Sequence, residues 1–237
     1  MALRPIILVH GSFHTAECWY LLTPILQQRG FAVHSPTLPG QRGNPRHPLL
    51  VSFKTYADAI IALAESIGEP VVLLGHSLAG FPISVAAERR PELFSHLIYV
   101  AAAIPAFGRA TVMGSTPNEP RPAIPMKAGL TTSFPAELAG EFFYNCCPAH
   151  VQAHAASLLS PQPLRPLLGA IKTSRARLGT VPKHFVECLH DKVTSIDGQR
   201  AKQGNLNFLS IETLDADHSP FLSAPVALAD AIDRMLA

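Results

Sequence analysis

A serine stands at an abrupt corner of the chain, in "VVLLGHSLAG" (71–80), where four apolar residues run into Gly75 and Ser77 follows between His76 and Leu78. A serine hydroxyl is a weak nucleophile until a neighbouring base, usually histidine oriented by a carboxylate, takes its proton. The turn from a strand into a helix suits such a group. It lifts the side chain clear of the backbone and leaves free amides facing any negative charge that develops beside it. The corner demands small residues two positions away on each side, and Gly75 and Ala79 meet that demand as a G-x-S-x-A pattern followed by Gly80. A serine here is also compatible with an ordinary junction in which it merely caps a helix. The motif alone leaves both readings open.

The rest of the chain favours chemistry. "KHFVECLHDK" reads as a strand running to Asp191, and "LNFLSIETLDADHSPF" as another followed by His218. Nucleophile, acid and histidine thus come in the order Ser77, Asp191, His218, each after a different strand. Asp215 and Asp217 are too close to His218 in sequence to leave its loop, and Asp197 falls at the start of the next helix, so Asp191 is the preferred acid. An oxyanion formed at the serine needs main-chain donors. The N–H of Leu78 is one. The other is expected in the loop "HGSFHTAECW" (10–19), where Gly11 permits a turn that aims the amide of Ser12 inward.

These loops need elements to hold them on one rim. Short, continuous apolar runs at Pro5–His10, Phe31–Ser35, Val71–Leu74, Leu97–Ala101, Lys183–Leu189 and Asn207–Ile211 read as strands covered on both faces. Between them lie helical stretches. Ser52–Ile67 places Phe53, Ala57, Ile60, Ile61, Ala64 and Ile67 on one stripe, with Ser52 and Gly68 as caps, and Pro225–Leu236 carries a second stripe. The alternation predicts an α/β domain with a mostly parallel sheet of about six strands and helices on both faces. Residues 105–182 break the rhythm with proline-rich stretches such as "NEPRPAIP" and "SPQPLRP". Too long for a loop, this segment is expected to be an inserted, mainly helical unit, with helices over Pro135–Tyr144 and Ala149–Leu159 and no clear strand.

The bulk properties narrow the class. The chain of 237 residues is 48% hydrophobic and carries a net charge of +2, which suits one well-filled domain, residues 1–237, and leaves no nucleic-acid footprint. The apolar run Pro5–Val9 is too short for a signal-peptide core or a membrane span. Adjacent Cys146 and Cys147, with Cys18 and Cys188, form neither a disulfide framework nor a zinc pattern, so a reduced, cytoplasmic protein is expected. His10 and His14 lie on a strand end and a loop rather than one helix face, so no metal site is expected there.

"VHGSFH", "LPGQRG", "GHSLAG", "HDK" and "DADH" together resemble the α/β-hydrolase superfamily, over nearly the whole chain. Within it the sequence is most similar to the small esterases related to plant methylesterases and hydroxynitrile lyases, and to their bacterial relatives. The resemblance implies an α/β-hydrolase fold in which residues 105–182 form a cap over the site. It further implies Ser77 as nucleophile, His218 as base, Asp191 as its orienting acid, and Ser12 and Leu78 as oxyanion donors. The substrate expected is a small to medium carboxylic ester, with no cofactor, metal, nucleic-acid or membrane partner. Lyases of this group carry a threonine and a lysine where this chain has Gly11 and Ser219. Nothing is then left to hold departing cyanide, so lyase chemistry is disfavoured, and a dehalogenase would need aspartate at position 77. Lactonase, thioesterase or cyclase chemistry, or ligand reception without catalysis, remain as alternatives on the same fold.

Pocket walls are the least constrained expectation. Phe13, His14, Phe142, Phe143 and Phe221 are the candidate substrate contacts, with Leu78 beside them. His10 and His76 are expected to hydrogen-bond locally, and Cys146 and Cys147 to pack.

Overall fold

The computed structural model describes residues 4–112 and 127–237, so the "NEPRPAIP" stretch and the first three residues lie outside it. Four strands come first: β1 (Arg4–Val9), β2 (Phe31–His34), β3 (Val71–His76) and β4 (Phe94–Val100). The inserted segment supplies β5 (Gly108–Thr111), β6 (Lys127–Ala128), β7 (Thr131–Ser133), β8 (Gln162–Pro163) and β9 (Ala170–Thr173). The chain then returns through β10 (Lys183–Cys188) and β11 (Ser210–Leu214). The central sheet has six strands in the order β11-β10-β4-β3-β1-β2, every pairing parallel.

Side chains alternate across this sheet because successive Cβ atoms point to opposite faces. Ile6, Leu8, Leu74, Ile98 and Val186 pack on one side with Trp19, Leu22, Leu228 and Ile232, whereas Ile7, Val9, Leu73, Tyr99 and Phe185 pack on the other with Phe53, Ile60, Phe81 and Ile83. The first side is covered by α1 (Leu22–Gln28) and, at the end of the chain, α9 (Pro225–Met235); the second by α2 (Phe53–Ile67) and α3 (Gly80–Arg89). Helix α2 starts in a reciprocal capping box between Ser52 and Thr55 and stops at Gly68, whose φ of 82° is left-handed. The expected α/β-hydrolase fold is the one observed.

Two expectations need correction. The inserted segment holds α4 (Ala136–Phe142), α5 (Ala149–Ser157) and α6 (Leu164–Leu168), but it also holds strands. Strand β5 pairs antiparallel with β9, and β6, β7 and β8 form a second small sheet. These strands span two to four residues, too few for a period-two pattern to stand out, and one contains Pro163. The last strand is Ser210–Leu214 rather than Asn207–Ile211. As an edge strand it is only partly covered, so Glu212 and Thr213 belong to it and the apolar run misplaces it.

Register brings four strand ends to one edge. Val9 pairs with Gly75, His76 with Val100, Val100 with Val186, and Cys188 with Leu214. The carboxyl ends of β1, β3, β10 and β11 therefore align, and the loops after them share one rim.

Candidate active site

Ser77 follows β3 directly and takes a φ of 53°, a left-handed conformation that non-glycine residues rarely adopt. Close packing holds it there. A Cβ at Gly75 would lie 2.8 Å from the Ile83 side chain, and one at Gly80 would sit 1.9 Å from the Ala103 carbonyl oxygen. The carbonyl of Ser77 accepts the Ala103 N–H at 2.9 Å, tying the corner to the chain after β4. Ala79 meets the demand for a small residue and is buried.

From this corner a continuous line of hydrogen bonds runs inward. Ser77 Oγ lies 2.9 Å from His218 Nε2, and His218 Nδ1 lies 2.8 Å from Asp191 Oδ2. A carboxylate can only accept, so Nδ1 carries the proton and Nε2 is left to accept from the serine hydroxyl. The other oxygen of Asp191 accepts the N–H groups of Val193 at 2.7 Å and Thr194 at 2.9 Å. Both His218 and Asp191 are buried. The competing carboxylates are elsewhere: Asp215 is paired with exposed His190, Asp197 lies in the first turn of α7 (Ile196–Gln203), and Asp217 faces away onto other donors.

The β1 loop reaches the same place. Gly11 passes so close that a Cβ there would lie 2.8 Å from the Ser77 Cβ and 2.9 Å from His76 Nδ1. The following amide, Ser12 N–H, has no acceptor among the described residues. His10 is structural, donating from Nδ1 to the Gly11 carbonyl and accepting the Leu38 N–H on Nε2. His76 donates from Nε2 to the His218 carbonyl at 2.7 Å, so it holds the backbone of His218 rather than its ring.

A family model described as "Alpha/beta hydrolase family" matches residues 6–231. The chain belongs to the alpha/beta hydrolase family. A pyrethroid hydrolase of Sphingobium wenxiniae is 29% identical over 245 residues, covering 98% of this chain and 87% of that one. Methyl jasmonate esterase 1 of Vitis vinifera is 29% identical over 254 residues, covering 98% and 97%. Among solved structures, that of polyneuridine aldehyde esterase superposes with a TM-score of 0.88 at 24% identity, covering 99% of this chain and 100% of that one, and speaks for the fold.

In this hydrolase the expected pocket walls sort into two groups. Phe13, itself at φ 64°, packs its ring 5.7 Å from Phe134 and 6.3 Å from Phe143. Phe134 also meets Phe142 and Phe143, and the Phe143 ring lies 6.0 Å from that of His218. An aromatic group from the β1 loop and the inserted segment therefore reaches the histidine through Phe143. Phe134 is the member that sequence reasoning did not single out, since nothing in "TTSFPAE" separates it from a packing residue. Phe221 is corrected: it is fully buried among Trp19, His76 and His14 and offers no surface to a ligand. His14 is likewise buried and bonded at both ring nitrogens, to the Ser12 carbonyl and the Tyr144 hydroxyl. Among the described residues, no group of histidine, cysteine and acidic side chains is arranged to hold a metal ion, and no helix is long and apolar enough to cross a membrane.

Burial pushes His10 and His14 down from 6.5 to about 4, and His76 well below 6.5. The unfolded chain takes up protons near 6.5, which the folded rings refuse until about 4. Their contribution is therefore complete above about 6.5 and is lost as pH falls toward about 4. By about pH 5 the loss is on the order of 2 kcal/mol for each of His10 and His14. The thermal midpoint is expected to drop by at least about 5 °C between about pH 7.5 and about pH 5. Equal midpoints would show that these rings titrate as freely folded as unfolded.

Proposed function

We propose that this chain hydrolyses small to medium carboxylic esters through an acyl-enzyme on Ser77. The observation that carries the reading is the unbroken line Ser77–His218–Asp191 at the rim of the sheet. Ser77 Oγ attacks the ester carbonyl carbon while its proton passes to His218 Nε2. The Ser12 and Leu78 amides stabilise the oxyanion. His218 then returns the proton to the departing alkoxide as the ester C–O bond breaks. A water molecule, deprotonated by the same nitrogen, attacks the acyl group, and collapse of the second oxyanion frees the acid and restores the serine. Asp191 holds the imidazole in the one tautomer that can begin this cycle.

The inserted segment is the proposed cap, and its aromatic side chains are the proposed walls of the acyl or alcohol pocket. Support comes from Phe143, whose ring lies beside that of His218 and packs on Phe134, which in turn meets Phe142, and from a pyrethroid hydrolase and a methyl jasmonate esterase among the relatives. Position 219 carries a buried, uncharged serine rather than a cation, which suits a tetrahedral oxyanion held by amides better than release of an anion such as cyanide.

A fluorophosphonate is the direct test. It is expected to place one phosphonyl group on Ser77, located by peptide mass, with loss of short aryl ester turnover in proportion to labelling. Turnover that survives complete labelling, or a label carried elsewhere while residue 77 stays free, would overturn the proposal. A panel varying acyl and alcohol parts separately then shows which side the aromatic walls read.

A further inference from the structure

Four consecutive residues of the inserted segment, Tyr144 to Cys147, join α4 to α5 in a turn. This turn reaches all three of the loops that carry the proposed acid, base and Ser12 amide. Tyr144 is fully buried, and its hydroxyl lies 2.8 Å from His14 Nε2. His14 Nδ1 is 2.7 Å from the Ser12 carbonyl. A carbonyl only accepts, so Nδ1 carries the proton, Nε2 accepts, and the tyrosine hydroxyl is the donor. Asn145 Nδ2 donates to the carbonyl of His190 at 3.1 Å, one residue before Asp191. The N–H of Cys146 donates to Asp217 Oδ2 at 2.8 Å, one residue before His218, and Cys147 Sγ lies 3.7 Å from the same oxygen. The second oxygen of Asp217 accepts the Ser219 N–H at 2.9 Å and the Ser223 hydroxyl at 2.7 Å. That buried carboxylate thus grips the chain on both sides of His218.

We propose that the turn Tyr144–Cys147 is a positioning device that sets the mutual spacing of the oxyanion, acid and base loops. The inference rests on the ester-hydrolase reading and extends it to residues that touch no reacting atom. Its physical basis is the cost of leaving buried polar groups unpaired. Tyr144, His14 and Asp217 are buried, and each satisfies its partner across the junction between the insertion and the sheet edge. A loop cannot drift without breaking one of these bonds. Acyl transfer is sensitive to such drift, since a displacement of about 1 Å can cost about 10²-fold. A contact that served only to pack the insertion would not have to fall beside three separate functional loops.

The test compares Tyr144→Phe, which removes one hydroxyl and keeps the ring, with Asn145→Ala on the partly exposed side of the turn. Active sites are first counted by fluorophosphonate titration, and kcat for a short aryl ester is expressed per titrated site. Each variant is expected to lower kcat per site by about tenfold or more, with KM within about twofold of the wild type. A purely structural role would lower the number of titratable sites and leave kcat per site unchanged, and that result overturns the proposal. Wild-type enzyme and Ser77→Ala are run beside them. If wild type and Ser77→Ala behave alike, the hydrolase reading itself falls, and the positioning role with it. If they differ while both turn variants match wild type per site, only the positioning role falls.

Discussion

Replacing Ser77 with alanine is expected to lower turnover of a short aryl ester by more than about 10⁴-fold. The substitution removes one oxygen, the one that lies 2.9 Å from His218 Nε2, and little else changes. Alanine and serine meet the same steric cost at a φ of 53°, and neighbouring contacts at Gly75, Gly80 and Ala103 involve the backbone and Cβ rather than the hydroxyl. Thermal stability should therefore stay near that of the wild type, and a non-reacting ester analogue should still bind. Without the nucleophile, only the main-chain donors and proximity remain, which by themselves leave a small residual acceleration over water. Turnover within about tenfold of wild type would mean that bond cleavage proceeds without this hydroxyl.

Asp191→Asn is expected to cost about 10³- to 10⁴-fold in kcat with little change in fold. The reason lies in how the carboxylate is shared. Its Oδ1 accepts two backbone N–H groups, from Val193 and Thr194, while Oδ2 faces the imidazole. Asparagine has a single oxygen, and two main-chain donors claim it. The amide nitrogen then faces His218 Nδ1 and donates to it, which drives the ring proton to Nε2. An Nε2 already carrying hydrogen cannot take the proton of Ser77. Stability measured by thermal melting and kcat measured on one aryl ester separate this tautomer effect from misfolding. Near-wild-type kcat in Asp191→Asn, with loss in Asp197→Asn, would transfer the acid role to Asp197.

Much of this was legible in the residues because the relevant signals are local. Strands β1, β3 and β4 are largely apolar runs, as strands covered on both faces tend to be, whereas β10 is buried throughout yet includes Lys183, His184 and Glu187. The corner at Ser77 announces itself through Gly75, Ala79 and Gly80, since each answers a steric demand of the turn. Asp191 and His218 each follow a strand that the sequence reading detects, although it starts the one before His218 three residues early. What stayed hidden depends on contacts between distant parts of the chain. The Tyr144–His14, Asn145–His190 and Cys146–Asp217 bonds span 130, 45 and 71 residues, and no spacing rule operates over such separations. Phe134 is aromatic like many packing residues, and only the approach of Phe13 and Phe143 gives it a place. Phe221 erred in the opposite direction. Being three residues from His218 suggested a wall, yet α8 (Pro220–Ser223) turns its ring under the site, against Trp19.

The pairing of β5 with β9 has a consequence for how relatives of this chain could diverge. Gly108 lies opposite Thr173 and Thr111 opposite Ala170, so the long excursion starts and ends at a two-stranded hydrogen-bonded neck outside the central sheet. Whatever hangs from that neck can be lengthened at small entropic expense, about 0.6 kcal/mol for each doubling of a flexible loop. Grafting one excursion in place of another is thus a ready route to new appetites for substrate. The graft is not wholly free, because it must still deliver four residues to the far rim with hydrogen-bond donors in the right places.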